Sequence, residues 1–376
     1  MKFRYRRLKS GWEKNLGVFW HPFFSRARGL CDRKGVMSQQ VFEPAMRRAL
    51  ELALLGPAKG VNPQVGAVIL DQDFNIIAEG FHKGSGTDHA EVMALKDLKS
   101  KFESIPAGLT AVVTLEPCNH TGKTGPCAQA LIEAGISRVV YASTDPGDVS
   151  SRGAETLKAA GVEVVSGVLE LEAEYQGRVW LTANRNQRPF VTLKWASSLD
   201  GRNAANDGSS KWISGEESRA HAHLQRSQLD AIAVGTKTVV IDNPELLARK
   251  PEGGYYEDQP LRVVIGKTEI AADSKVFGSD HPGIQIKTSA LSEALSVLWD
   301  RGVKHLMVEG GPTLASEFVR QELVDEFQIY LAPMLLGGSR TSLGDIGVGS
   351  IGDAVSLEVL ETQSLGKDIF IRARRA

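Results

Sequence analysis

Gly84-Ser85-Gly86-Thr87-Asp88-His89-Ala90-Glu91, followed by Thr114-Leu115-Glu116-Pro117-Cys118 and then Cys127, decides how the first half of the chain is read. A glycine-bearing loop at Lys83–Thr87 opens into a helix predicted from about His89 to Leu98. In a continuous helix a His and a Glu two residues apart point about 200° apart. Both serve one ion only if it lies beyond the helix end, where the first turn surrounds it. Cys118 follows the apolar strand Ala111–Leu115, and Cys127 opens the next helix, Cys127–Ala134. A helix N-terminus favours a thiolate over a thiol. One imidazole and two thiolates make a three-ligand zinc site with the fourth position left for water. His89, Cys118 and Cys127 are the expected ligands. Glu91, not a ligand, is the expected proton carrier. Separately these signals are weak, since a lone cysteine after a strand is usually a small core hydrophobe. Their order and positions together carry the reading.

The arrangement is similar to that of zinc-dependent nucleobase deaminases. Nucleic-acid and free-nucleoside deaminases of this type carry Cys-x-x-Cys, whereas here Asn119 through Pro126 separate the cysteines. The longer loop brings His120 and Lys123 to the pocket mouth, which suits an anionic substrate such as a phosphate ester.

Working outward, Met46, Ala49, Leu50, Ala53 and Leu54 follow helical spacing, and Gly56-Pro57 ends that helix. Val65–Leu70 and Asn75–Glu79 read as a strand pair. Strand Arg138–Ser143, helix Ala154–Ala160 and strand Glu163–Gly167 complete a layered α/β unit. Leu169–Asn186 reads as a polar-rich helix, and Arg188-Pro189 as a boundary. A second alternating series has strands at Phe190–Trp195, Asp230–Val234, Leu261–Ile265, His305–Val308, Glu326–Leu331 and Asp368–Arg374. Its helices fall near Glu216–Gln228, Ala290–Arg301 and Thr313–Gln321. The expected division is an extension over 1–40, a zinc domain over 41–168, a connecting helix over 169–188, and a second domain over 189–376.

The chain has 376 residues, 24% charged and 42% apolar, with a formal net charge of −1. That balance supplies no electrostatic footprint for nucleic acid or an anionic membrane. No apolar run approaches the ~20 residues that cross a bilayer. Three cysteines, Cys31, Cys118 and Cys127, make no disulfide framework and fit a reducing, cytoplasmic setting. The first forty residues hold ten Lys or Arg against Glu13 and Asp32. Such a start can be an organelle-targeting segment, but it reads first as a plain disordered extension or an upstream translation start, and Met37 looks like a natural beginning.

Asn62-Pro63-Gln64-Val65-Gly66-Ala67-Val68, Gly80-Phe81-His82, His89-Ala90-Glu91-Val92 and the Glu116–Cys127 stretch resemble the bifunctional riboflavin-biosynthesis deaminase/reductase family. The likeness continues through Leu193-Lys194, Ser198–Arg202, Trp212-Ile213-Ser214-Gly215, Asp242-Asn243-Pro244-Glu245-Leu246 and Glu309-Gly310-Gly311-Pro312-Thr313. It covers about residues 41–376. It implies a cytidine-deaminase-like α/β/α domain, then an α/β domain similar to dihydrofolate reductase, with Zn2+ and NADPH as cofactors. The implied substrate is a small phosphorylated pyrimidine, deaminated first and then reduced at its ribosyl side chain to ribityl. Carried over by position, Asn62, His82, His120 and Lys123 would hold the deaminase substrate. Lys194 and Glu309 would sit near the reacting ribose carbons. Ser210, Arg226, Leu246 and Arg249 would bind the second substrate. Ala196, Trp212, Thr238, Asp242, Gly311, Pro312, Thr313 and Leu314 would meet the cofactor. Small residues ahead of the Thr313 helix also let backbone amides approach a phosphate.

Three positions depart from the family pattern: Ser209 for the usual Glu, Gly147 for an Asn that contacts the sugar phosphate, and Gly125 for a Pro. A deaminase with a silent second domain, a nucleic-acid deaminase and a structural zinc protein are the competing readings. The sequence leaves a homo-oligomer open.

Overall fold

Ala67 and Ile69 of strand β1 (Gly66–Leu70) bury on one face, and Val68 and Leu70 on the other. A strand buried on both sides needs a helical layer on each. In this computed structural model, which describes residues 39–120, 125–147, 150–278, 280–281 and 283–376, those layers are present. One face of the sheet takes Met46 and Ala49 of α1 (Glu43–Ala53). The other takes Ala94 and Leu98 of α2 (Ala90–Lys101), Leu131 of α3 (Cys127–Glu133) and Leu157 of α4 (Gly153–Ala159). Close approach demands glycine: a Cβ on Gly66 would stand 2.0 Å from the Ala49 oxygen.

The sheet order is β2-β1-β3-β4-β5. Strand β2 (Ile76–Phe81) and β3 (Thr110–Leu115) flank β1 antiparallel. Strands β4 (Arg138–Ser143) and β5 (Glu163–Ser166) continue in parallel. Parallel strands place the loops after β3 and β4 at one edge, where ligands of such sheets bind.

Helix α5 (Glu170–Asn186) leads to a second sheet. Its strands are β6 (Phe190–Ser198), β7 (Ala231–Gly235), β8 (Leu261–Ile265), β9 (Gly283–Ile286), β10 (His305–Val308), β11 (Glu326–Ala332), β12 (Leu357–Leu365) and β13 (Asp368–Arg375). They run in the order β12-β13-β11-β6-β10-β7-β8-β9. The stretch from β11 to β9 is parallel, and β13 and β12 close it antiparallel. Leu295 and Leu298 of α8 (Leu291–Asp300) and Phe318 of α9 (Pro312–Arg320) pack on Val191, Leu193, Leu306 and Val308. The opposite face carries α6 (Glu216–Ser227) and α7 (Thr236–Asp242), with Val239 against Ile232, Val234 and Val264.

Three elements lie outside the sequence expectation: α7, β9 and β12. The extension expected over 1–40 lies, apart from residues 39 and 40, outside the described residues. Among those residues no helix is long and apolar enough to cross a membrane.

Candidate active sites

His89 is the N-cap of α2, with extended backbone (φ −69°, ψ 162°), so its imidazole leaves the helix end rather than its side. Cys118 lies in the loop after β3 and Cys127 is the first residue of α3. The His89 Nδ1 stands 3.2 Å from Cys127 Sγ and 3.5 Å from Cys118 Sγ. The three donor atoms lie within 4.8 Å of one another. Both sulfurs are buried. The Cys127 side chain, hydrogen-bonded to Cys118, pulls the Cys118 thiol down to about 4 against the cost of burial, and His89 lowers it further. Cys127 is driven far up, by that same hydrogen bond with Cys118 and by burial. A soft divalent ion lets both become thiolates, which is the donor chemistry of zinc.

Glu91 is buried beside them. Burial first, then the Cys118 charge, raises its carboxyl to about 7. His82 Nδ1 meets the Asp88 carbonyl at 3.1 Å, which leaves Nε2 to accept from Asn62 Nδ2 at 2.9 Å. Burial holds that imidazole neutral by lowering its pKa. His120 brings a buried Nδ1 that has no partner among the described residues. These groups share one cleft of about 650 Å³, within the range of small-molecule sites. Lys123 lies outside the described residues.

In the second half, Lys194 of β6 and Arg226 of α6 converge on Glu309, which follows β10. Lys194 Nζ lies 3.3 Å from Glu309 Oε2. Arg226 donates to both carboxylate oxygens, at 2.8 and 2.7 Å. Burial alone would raise the Glu309 carboxyl, but Arg226 and Lys194 outweigh it and hold it well below the usual range. Ala196, two residues beyond Lys194, pairs with Tyr330, whose ring lies under the Lys194 ammonium. Leu246 is buried with φ +59°, a left-handed conformation that costs a non-glycine residue about 1 kcal/mol or more. Next to it, the Leu247 carbonyl accepts from Arg226 Nη1 at 3.3 Å. Arg249 meets His223 through its backbone and guanidinium.

Gly311 caps α9 and Pro312 opens it. A Cβ on Gly311 would enter the gap toward Thr238 Oγ1, 3.6 Å away. Leu314 packs behind Gly310 and Gly235. An open glycine at a helix N-terminus fits a dinucleotide phosphate. Ser210, Trp212, Asp242 and Thr313 are exposed on the surrounding segments.

Residues 39–143 match the cytidine and deoxycytidylate deaminase zinc-binding region, and residues 189–371 match the RibD C-terminal domain. The riboflavin biosynthesis protein RibD of Mycobacterium tuberculosis (strain ATCC 25618 / H37Rv) is 44% identical over 310 residues, covering 82% of this chain and 90% of that protein. The chain belongs to the RibD family. The RibD of Aquifex aeolicus (strain VF5) is 36% identical over 366 residues, 90% of this chain and 100% of its own. Among solved structures, the Thermotoga maritima diaminohydroxyphosphoribosylaminopyrimidine deaminase/5-amino-6-(5-phosphoribosylamino)uracil reductase superposes with a TM-score of 0.79 at 32% identity, over 90% of this chain and 100% of that one. Acinetobacter baumannii RibD (form 1) gives 0.81 at 34% identity, over 90% and 99%. The chain thus has the cytidine-deaminase-like and dihydrofolate-reductase-like domains of RibD, with zinc and NADPH as cofactors.

Within this RibD framework the sequence reading left Glu116 without a role. Its buried carboxylate accepts the Asp145 and Ala154 amides, at 3.4 and 3.0 Å, and so fastens the loop after β4 to α4. Its place in Glu116-Pro117-Cys118 was the available signal. A side chain at Gly147 would run into Ser150 Oγ, 2.2 Å from its Cβ. Trp180, Asn184, Arg185 and Trp299, none of them singled out from sequence, border the zinc cleft.

Proposed function

We propose that this chain performs two successive steps of riboflavin biosynthesis. The first is hydrolytic deamination of 2,5-diamino-6-(5-phosphoribosylamino)pyrimidin-4(3H)-one. The second is reduction of the ribosyl product to 5-amino-6-(5-phosphoribitylamino)uracil. The observation that carries this reading is the coexistence, in one RibD-family chain, of a His-Cys-Cys cluster beside a buried glutamate and a separate Lys-Glu-Arg group. The domains are taken as 41–168 and 189–376, joined by 169–188.

Zinc, when bound, acidifies a water from ~15.7 to about 7 and so supplies a nucleophile at neutral pH. His89, Cys118 and Cys127 hold it. Glu91 carries the water's two protons in turn, the first to the ring nitrogen and the second to the amino group as the C–N bond breaks and it leaves as ammonia. Asn62, His82, His120 and Lys123 orient the pyrimidine.

NADPH, when bound, would supply the hydride for reduction of the ribosyl carbon. Opening the C1′–O4′ bond needs a proton on the ring oxygen, and the Lys194 ammonium is poised to give it. Glu309 keeps that ammonium aimed, while Arg226 holds Glu309. Ser210, Leu246 and Arg249 complete the substrate site. Ala196, Trp212, Thr238, Asp242 and Gly311 to Leu314 receive the cofactor.

Incubating the zinc-loaded protein with the diaminopyrimidine phosphate tests the reading. The ribitylamino product should form only when NADPH is added. Accumulation of the deaminated ribosyl compound despite NADPH would leave a deaminase with a silent second domain.

A further inference from the structure

Part of the lining of the zinc cleft comes from outside the deaminase sheet: Trp180, Asn184 and Arg185 of α5 and Trp299 of α8 border it together with His89, Glu91 and Cys118. This lining is fastened to the deaminase. Trp180 Nε1 donates to the Val61 carbonyl at 2.9 Å, one residue before Asn62. Asn184 Nδ2 donates to the Trp180 carbonyl at 2.8 Å, and its Oδ1 accepts from Lys304 Nζ at 3.3 Å. The Lys304 ammonium lies 3.2 Å from the Trp299 ring centroid, an arrangement that steadies both side chains. Gly60 N–H donates to Asp230 Oδ1 at 2.8 Å, while Asp230 Oδ2 takes the Lys304 and His305 amides, each at 2.9 Å. Lys59 pairs with Asp258 at 2.7 Å. Lys59 and Gly60 are therefore held by the reductase half, and Val61 by the connecting helix.

A pyrimidine that reaches Glu91 must leave its phosphoribosyl tail at the mouth. The one Lys or Arg side chain lining the cleft among the described residues is Arg185. Its partner Glu174, at 2.5 Å, is partly exposed, and an exposed pair contributes little. A guanidinium receives a phosphate through paired N–H groups.

We propose that the deaminase site is composite: Arg185 receives the substrate phosphate, and Trp299 of the reductase half walls the ribose. Preference for a phosphorylated substrate would thus be supplied in part from outside the deaminase domain. This rests on the deaminase reading above.

The test measures deamination kinetics of full-length Arg185→Gln and Trp299→Ala on the phosphorylated substrate and on its dephosphorylated counterpart. Arg185→Gln should raise KM for the phosphorylated compound about tenfold, with kcat within about twofold and no effect on the dephosphorylated one. Arg185→Lys should recover most of the loss. Trp299→Ala should raise KM for both. Reduction of separately supplied ribosyl uracil phosphate serves as the folding control. An unchanged KM in Arg185→Gln, or an equal rise for both compounds, overturns the inference while leaving the deaminase reading intact. A zinc-loaded wild type that deaminates neither compound removes both.

Discussion

His89 and Cys127 meet at 3.2 Å, imidazole Nδ1 against Sγ, although 38 residues separate them. Each sits at the beginning of a helix, His89 as N-cap and Cys127 as first residue. Two helix starts are thus aimed at one point, where Cys118 adds the third donor.

Cys127→Ser should accordingly lose the metal. Bound zinc should fall from about one per chain to near none, because removing a thiolate from a three-ligand site leaves too few donors. Unfolding temperature should drop by roughly 5 °C or more, since two buried sulfur positions lose the ion that joins them. Elemental analysis and a thermal melt check both.

How legible this was from sequence depended on the range of the contacts. The zinc group was readable because each ligand sits at a local landmark, a loop-to-helix or strand-to-loop junction. Helix α7 was not. Thr236-Lys237-Thr238-Val239-Val240-Ile241-Asp242 is rich in β-branched residues that favour strands, and packing of Val239 beneath β7 and β8 overrides that preference. Strand β12 escaped because it is a polar edge strand, mostly exposed, recognisable only by its pairing with β13. Strand β9 is a four-residue edge. Trp180 and Trp299 in the zinc cleft had no local signal at all, since their meeting is made by the tertiary fold.

Gly310→Val tests the cofactor cradle. A Cβ at Gly310 would stand 2.9 Å from both Cβ and Cδ2 of Leu314, so the start of α9 must move. The KM for NADPH should rise about tenfold, while deamination stays at the wild-type rate. Initial rates at varied NADPH give the answer.

Stability should depend on acid through half-buried histidines. His221, His223 and His305 are each pushed down to about 4, by burial first. In the unfolded chain they titrate near 6.5. Their folded pKa values are depressed, so the neutral form belongs to the native state. Stability is full above about pH 6.5 and is lost as pH falls from there toward 4. His305 accepts or donates with Thr192 Oγ1 at 2.8 Å. His305→Gln should flatten the loss by up to about one proton, or ~1.4 kcal/mol per pH unit. Denaturant melts at pH 7, 6 and 5 measure the slope; equal slopes in variant and wild type would count against it.

The central claim, two independent reactions in one chain, is tested most directly by mixing two variants. Glu91→Gln should keep its zinc and lose about a thousandfold in deamination. Lys194→Met should deaminate normally and accumulate the ribosyl uracil phosphate. With zinc and NADPH present, each variant alone should yield almost no ribitylamino product, and the mixture should yield it freely. A mixture as inert as its parts, or a single substitution that silences both steps in a folded, zinc-bound protein, would contradict the account.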